Sequence, residues 1–319
     1  MKPRLILYNR PAEDASADET DVLDQVGFFR AGLQENGWPV EELALTADFR
    51  NEIFGINPDR YACAVNLVES VWGRDELLHL APSILRLRNI PYTGCPAEAL
   101  YLTGDKPLSK RLMQIAGIPV PAACRPSGWT SLEPGRTYIL KPACEDGSVG
   151  ITEDSVFRFD GERPDLLDGK NDANWFVEEY VAGREFNLSL LGMPDGPRLL
   201  PPAEIIFRNY PEGMPRIVSW KAKWDEDSFQ YRSSVRTFGT ALPSGLREQL
   251  HEICRRCWSL FGLRGYARID LRIDAQERPF VLEVNANPCI SPDSGFVAAC
   301  QEAGLSRSGI IRSIIRQLN

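Results

Sequence analysis

Histidine is nearly absent: His79 and His251 are the only two in 319 residues. Both lie outside every motif described below, so chemistry built on a histidine base or a histidine–nucleophile pair is not encoded, and both read as structural. No run approaches the ~20 apolar residues that a bilayer-spanning helix needs. Positive charge is also short: 36 Lys and Arg stand against 44 Asp and Glu, a net charge of −8. A non-specific binder of nucleic acid or of an anionic membrane would carry the opposite balance. The eight cysteines are too dilute for a disulfide scaffold, and MKPRLILYNR lacks a signal-peptide apolar region, so free thiols in a reducing cytoplasm are expected. Cys254 and Cys257 form a CxxC inside an amphipathic helical run (Leu250, Ile253, Cys257, Leu260) with no second pair at zinc spacing, which reads as a packed helix face. Internal repeats and low-complexity tracts are absent, and so is the G-x-G-x-x-G turn of a dinucleotide site.

What is present alternates strand and helix, the pattern of an α/β fold. Arg4–Tyr8 reads as a buried strand, followed by an acidic segment (Glu13–Asp24) and a helix with Val22, Val26, Phe29 and Leu33 on one face. Pro39–Leu45 and Tyr61–Val68 read as strands, Asp75–Arg88 as a helix, and residues 1–93 as a Rossmann-like N-terminal domain. A second unit, 94–182, holds a helix at Asp105–Ala116 and strands around Val120, at Tyr138–Pro142 and at Trp175–Val181. The third, 183–319, carries predicted strands at Glu185–Leu191, Leu199–Phe207 and Arg216–Trp224, a helix at Ser244–Phe261, a hairpin and two closing helices. Asp225–Thr240 is the longest stretch without a periodic pattern and reads as a mobile lid.

The hairpin, GYARIDLRIDAQERPFVLEVNANP from Gly265 to Pro288, is the densest signal. Two alternating runs flank a polar turn, and the register that keeps Ile269, Leu271 and Ile273 on one face with Phe280, Leu282 and Val284 sets Asp270 opposite Glu283 and Arg268 opposite Asn285. Two carboxylates facing each other repel, and a hard divalent cation with oxygen ligands would relieve that repulsion. LKPACEDGSVG (Leu140–Gly150) runs a strand into a loop rich in glycine, with Lys141 and Ser148 at its mouth, a pattern that lets backbone N–H groups approach phosphate. WFVEEYVAGREF (Trp175–Phe186) offers carboxylates at a strand end, suited to an adenine amino group or ribose hydroxyls. Lys106, Lys110, Lys221 and Lys223 taken one at a time read as surface lysines.

In order and spacing these segments resemble the ATP-grasp superfamily and, within it, the D-alanine–D-alanine ligase family. TGDKPLSKRLMQIAGIPVP looks like its lysine-bearing helix, LKPACEDGSVG its phosphate-covering loop, VEEYVAGREF its adenine hinge, WKAKW its central lysine strand, and YARIDLRID with LEVNANPCISPDSGF its metal and oxyanion hairpin. The resemblance implies an ATP-grasp fold, with 94–182 and 183–319 as its two subdomains, preceded by the Rossmann-like domain. It implies Lys106 and Lys141 on the nucleotide phosphates, Glu178, Tyr180 and Val181 along the adenine, and Glu185 on the ribose. Lys223 would also reach the phosphates, with Lys221 a competitor on the same predicted strand face, and Ser148 would join Lys223 and Arg268 in the catalytic set. Asp270, Glu283 and Asn285 would hold one or two Mg²⁺, with Mn²⁺ as a substitute, and Arg268 would stabilise developing negative charge. Ser294 would hold a substrate carboxylate, and Arg232 and Arg236 of the lid are expected to reach an anionic group.

Two features depart from the family pattern. YNRPAEDASADETD has no match to the family's glycine-rich turn and its amine-binding glutamate, and Cys289 stands where the family has glycine. The expected activity is an ATP-dependent carboxylate–amine ligase acting on small molecules through an acyl phosphate, with no nucleic-acid or membrane partner and with homodimerisation left open. D-alanyl-D-alanine synthesis itself and a non-catalytic nucleotide-binding regulator are the alternatives. Carboxylation is disfavoured by the lack of a biotin-carrier segment.

Overall fold

The computed structural model describes residues 1–318. β1 (Arg4–Asn9) is the centre of a parallel sheet, β2–β1–β3, and its Leu5, Ile6 and Leu7 are fully buried, as a strand covered on both faces requires. α1 (Ala17–Glu35) begins within the acidic segment: Ser16 is its N-cap, and the Glu19 carboxylate accepts the Ser16 N–H at 2.9 Å. Gly37 closes the helix in the left-handed conformation, after which come β2 (Val40–Leu45), α2 (Phe49–Phe54) and β3 (Cys63–Leu67). The helix expected at Asp75–Arg88 is shorter. A single 3₁₀ turn (Asp75–Leu77) precedes α3 (Leu80–Leu87), because Pro82 has no N–H and is tolerated only in a first turn.

α4 (Ala97–Gly104) and α5 (Lys106–Ile115) lead into a second sheet of β4 (Ala123–Cys124), β5 (Thr137–Pro142), β6 (Val156–Arg158) and β7 (Trp175–Glu179), in the order β4–β7–β5–β6. The large antiparallel sheet contains β8 (Gly183–Met193), β9 (Gly196–Leu199) and β10 (Ala203–Phe207). Leu199–Phe207 is therefore not one strand: Pro201 and Pro202 lack the N–H groups that a continuous ladder would need. Arg216–Trp224 is not a strand either. Its second half is α6 (Trp220–Trp224), started by Ser219, whose hydroxyl accepts from Ala222 N–H. Nor is Asp225–Thr240 an irregular lid: Ser228 caps α7 (Phe229–Ser233), and β11 (Ser234–Thr237) pairs antiparallel with β10.

α8 (Ser244–Leu260) buries Cys254 and Cys257 as part of its packed face. The hairpin follows as β12 (Tyr266–Asp274) and β13 (Pro279–Asn285), with Asp270 opposite Glu283 and Arg268 opposite Asn285. Beyond Asp270 the pairing slips by one residue, so Leu271 faces Val281 and Leu282 is left unpaired as a bulge. Val281, not Leu282, joins the apolar face, and Phe280 and Leu282 turn toward the other. The bulge follows from partners outside the ladder: Val281 N–H donates to the Pro119 carbonyl at 2.8 Å, and Lys110 Nζ donates to the Leu282 carbonyl at 2.7 Å.

α9 (Gly295–Glu302) and α10 (Arg307–Ile315) close the chain against its beginning. Phe29 and Leu33 of α1 share a core with Phe296, Ile310, Ile311 and Ile314, while a separate core lies between the large sheet and α4, α5 and α8. Gly32 permits the α1–α10 crossing, since a Cβ there would stand 2.4 Å from Ile311 Cγ1. Among the described residues no helix is long and apolar enough to cross a membrane.

Candidate active site

The two larger sheets face each other across a cavity of about 510 Å³, walled on its remaining sides by the loop after β5, by α6, α7 and β11, and by Asp21 of α1. Lys106, Lys141 and Lys223 enter it from three different elements. Lys106 follows the Asp105 N-cap of α5 and is buried, contrary to its reading as a surface lysine. Its ammonium donates to the Glu145 carbonyl (2.7 Å) and to Asp146 Oδ1 (2.8 Å) and lies 3.7 Å from Glu283. Burial alone would lower its pKa, but Asp146 and Glu283 more than reverse that and hold the ammonium charged. Lys110 is buried too, 2.6 Å from Glu178. Lys141 reaches the same Glu178 carboxylate from β5. These contacts are charge pairs, not well-aligned hydrogen bonds. Burial would push the Glu178 carboxyl up, and the two ammonium groups overcome it and hold it below the usual range. The Glu178 side chain thus sets the lysines, leaving backbone as what β7 can present to a base.

On α6, Lys221 and Lys223 are two positions apart, roughly 200° around a helix, and point to different sides. Lys221 is exposed, while Lys223 lines the cavity with its ammonium 4.7 Å from the Trp224 ring centroid. The glycine loop bends over this end. Gly147, Ser148 and Gly150 all have left-handed φ values, and the loop is pinned by Ser148 Oγ donating to the Val218 carbonyl (2.7 Å) and Trp224 Nε1 donating to the Gly147 carbonyl (2.8 Å). Ser148 therefore lines the cavity with its hydroxyl engaged on the wall.

Glu179, Tyr180, Val181 and Glu185 line the far end. Glu179 pairs with Arg136, and the other three are tied to Arg272, a buried residue that the sequence reading passed over. Its guanidinium donates to Glu185 Oε2 (3.0 and 2.7 Å) and to the Val181 carbonyl (2.9 Å), and lies 4.9 Å from the Tyr180 ring centroid. The signal was present: Arg268, Asp270 and Arg272 alternate on one face of β12, so the argument that found the first two extends to the third.

Between these ends lies the hairpin group. Arg268 grips Asp270 with two hydrogen bonds (2.8 and 2.7 Å), and Asn187 of β8, also missed in the sequence, donates to Asp270 Oδ1 at 2.8 Å. Burial and the facing Glu283 push the Asp270 carboxyl up to about 6 despite Arg268. Glu283 goes the other way, to about 2: burial would raise it, but Lys106, Arg268 and Lys141 stabilise its charge. One carboxylate of the facing pair takes the proton more readily than the other, as two like charges at close range dictate. Asn285 lines the same cavity, its Oδ1 accepting from Asn287 N–H at 3.0 Å.

At the remaining end stand Asp21, Tyr231, Arg236, Cys289, Ser291 and Ser294. Ser294 caps α9 through its hydroxyl, which accepts from Val297 N–H at 3.3 Å. Arg236 reaches the cavity and Arg232 does not. Arg232 is exposed and folds back onto the carbonyls of Asp227 and Ser228. Cys289 donates its thiol to Asp21 Oδ2 at 2.9 Å.

Behind Asp21, Gln25 Nε2 donates to Glu69 at 2.8 Å, and burial pushes the Glu69 carboxyl up to about 7, with Asp21 adding to the shift. The folded chain thus holds this proton more tightly than the unfolded chain. The resulting stability is complete below the unfolded value near 4.5 and is lost as pH rises toward 7. Glu69→Gln, which mimics the protonated acid, should be more stable than the parent at pH 8 by about 1 kcal/mol or more and nearly equal to it at pH 4.5. Urea midpoints at the two pH values test this, and an unchanged difference between them would refute it.

The family model described as D-ala D-ala ligase C-terminus matches residues 135–316. The chain is 32% identical over 258 residues to the uncharacterized protein y4sG of Sinorhizobium fredii, covering 78% of this chain and 72% of that protein. It is 30% identical over 313 residues to the D-alanine–D-alanine ligase of Chromohalobacter salexigens, covering 94% and 90% respectively. In fold it resembles the crystal structure of the Bacillus anthracis D-alanine–D-alanine ligase complexed with ATP, with a TM-score of 0.73 at 19% identity over 99% of this chain and 96% of that one.

Proposed function

As a member of the D-alanine–D-alanine ligase family of ATP-grasp proteins, this chain is an ATP-dependent ligase that forms carbon–nitrogen bonds, and we propose that it joins a small carboxylate to an amino-acid-like amine. The observation that carries this reading is the convergence on one cavity of Lys106, Lys141 and Lys223 with the Arg268–Asp270–Glu283 group. Polyphosphate needs several cations from rigid elements, and an acyl centre reacting beside it needs a fixed donor for its oxyanion. ATP supplies the phosphoryl group that turns the carboxylate into an acyl phosphate. In this reading the lysines hold the phosphates under the glycine loop, the β7 backbone with Tyr180 and Val181 flanks the base, and Glu185, aligned by Arg272, takes the ribose.

Asp270, Glu283 and Asn285 suit Mg²⁺. They offer hard oxygen donors on one sheet face, and the pKa of Asp270 is lifted by burial and by the second carboxylate that faces it. Bound there, Mg²⁺ would neutralise phosphate charge and polarise the transferring group. Arg268, held rigidly by Asp270, presents its remaining N–H donors to the oxygen that becomes negative when the amine attacks. Asp21 offers a carboxylate for a substrate ammonium. Eight free thiols, five of them buried, fit the reducing cytoplasmic setting of this reading.

The test is an ADP-release screen over D- and L-amino acids, singly and in pairs, with dipeptides included. We expect Mg²⁺-dependent release with a defined pair and little with D-alanine alone, because the family's amine-binding glutamate has no match after β1 and the carboxylate there comes from α1 instead. Release with D-alanine alone, as fast as with any pair and yielding the dipeptide, would make the family's own reaction the answer.

A further inference from the structure

Lys106, Lys141 and Lys223 differ in what already holds them. Lys141 lies against Glu178, a strand residue that is 1% exposed and fixed by the sheet. Lys223 faces the Trp224 ring, and among the described residues it forms no ion pair. Lys106 is taken by Asp146 of the glycine loop, whose Oδ1 stands 2.8 Å from Nζ, with the Glu145 carbonyl at 2.7 Å beside it. The lysine side chain is 8% exposed and the aspartate 45%, so a buried cation meets an anion that is open to solvent. Asp146 is also the strongest of the groups that keep the Lys106 ammonium charged against burial. Little else retains the acid there. Among the described residues Lys106 is the only hydrogen-bond and ion-pair partner of the Asp146 carboxylate. Its charge adds to the burial that pushes Glu69 and Asp75 up to about 7, so these neighbours gain nothing from its presence. Gly147 follows, and a Cβ on it would lie 3.8 Å from Lys223 Nζ, which sets this stretch of loop at the end of the cavity where the lysines gather.

Resting on the assignment of Lys106 to the nucleotide phosphates, we propose that Asp146 is an autoinhibitory contact: a tethered carboxylate that holds the place of a phosphate oxygen on Lys106 and is displaced by the polyphosphate of an incoming nucleoside di- or triphosphate. A carboxylate and a phosphate oxygen make the same kind of charge-assisted contact with an ammonium. Polyphosphate brings more negative charge to Lys106 than one carboxylate does, so it wins the exchange, and like charge then keeps Asp146 from staying beside it. The apparent affinity for nucleotide is the intrinsic affinity reduced by the fraction of molecules in which Lys106 is free of Asp146. Glu178 is excluded from such a role, because its departure would strand the buried Lys110 as well.

The experiment is titration calorimetry with ADP and with a non-hydrolysable ATP analogue, each in the presence of Mg²⁺, and with adenosine as the probe that lacks phosphate. The parent is compared with Asp146→Asn, Asp146→Ala and Asp146→Glu. The two neutral variants should bind both nucleotides about three- to ten-fold more tightly than the parent, the range for releasing a half-exposed ion pair, and should bind adenosine as the parent does. Asp146→Glu, which keeps an anion on the loop, should stay within about two-fold of the parent for all three probes. Nucleotide binding that is unchanged or weaker in both neutral variants, or a tightening that extends equally to adenosine, overturns this inference and leaves the ligase reading standing. A parent that binds neither nucleotide overturns the phosphate role of Lys106 itself.

Discussion

Replacing Glu178 by glutamine is expected to lower the stability of the fold by about 3–5 kcal/mol, the range for removing one member of a buried charge group. Glu178 is 1% exposed and answers two ammonium groups, Lys110 at 2.6 Å and Lys141. Glutamine keeps the shape but not the charge, leaving two cations facing each other around a neutral amide. Lys110 has one remaining strong partner, the Leu282 carbonyl at 2.7 Å. Its pKa already lies below the usual ammonium value, because burial outweighs the attraction of Glu178 and Lys141 repels it. A lysine with a lowered folded pKa favours the fold more as pH rises and its proton leaves. The variant should therefore regain part of the loss in alkaline solution. Guanidinium midpoints across pH 7–10 measure both effects. A loss under 1 kcal/mol at pH 7 would mean that the pair is solvated and that Glu178 does not set the lysines.

The second large effect is catalytic. Glu283→Gln should cost the fold less than Glu178→Gln does, since the lost attraction to Lys106 and Arg268 is offset by relief of the repulsion on Asp270 and the side chain sits at the cavity wall. It should lower kcat for ADP release by roughly a hundred- to a thousand-fold, the range seen when one preorganised charge-stabilising group is lost. Two results of the substitution point the same way. The hard-oxygen donor set loses a charge, and one of the forces that lift the Asp270 carboxyl, the facing charge, disappears while burial remains, so that group should titrate lower. Activity as a function of Mg²⁺ concentration separates the proposed role from simple misfolding, because weakened metal binding should be partly overcome by excess Mg²⁺. Parent-like turnover at millimolar Mg²⁺ would remove Glu283 from the site.

The most legible part of this chain is the β12–β13 hairpin. Strand alternation has period two, so the apolar residues alone brought Asp270 to Glu283 and Arg268 to Asn285, and α1, β1, β5 and β8 were read from the same local periodicities. The helix–strand errors differ in cause: the alternation of Trp220, Lys221, Ala222, Lys223 and Trp224 imitates a strand, whereas Phe229–Ser233 has no period to read. Trp220–Trp224 became a helix because Ser219 caps it, and Phe229–Ser233 because Ser228 does, so the presumed lid is a helix and an edge strand. That change also assigned the lysines, since positions two apart share a strand face but not a helix face. The bulge at Leu282 was invisible because its causes, Pro119 and Lys110, are distant in the chain. The sequence alone determined which chemical groups are present and the spacing within each element. Only the tertiary structure decided which lysines are buried, that Glu178 answers two of them, that Arg272 aligns Glu185, and that Arg236 reaches the cavity while Arg232 does not. Charges acquire partners only when separate elements pack, and burial, which sets what each pairing is worth, is a property of the whole fold and not of any segment.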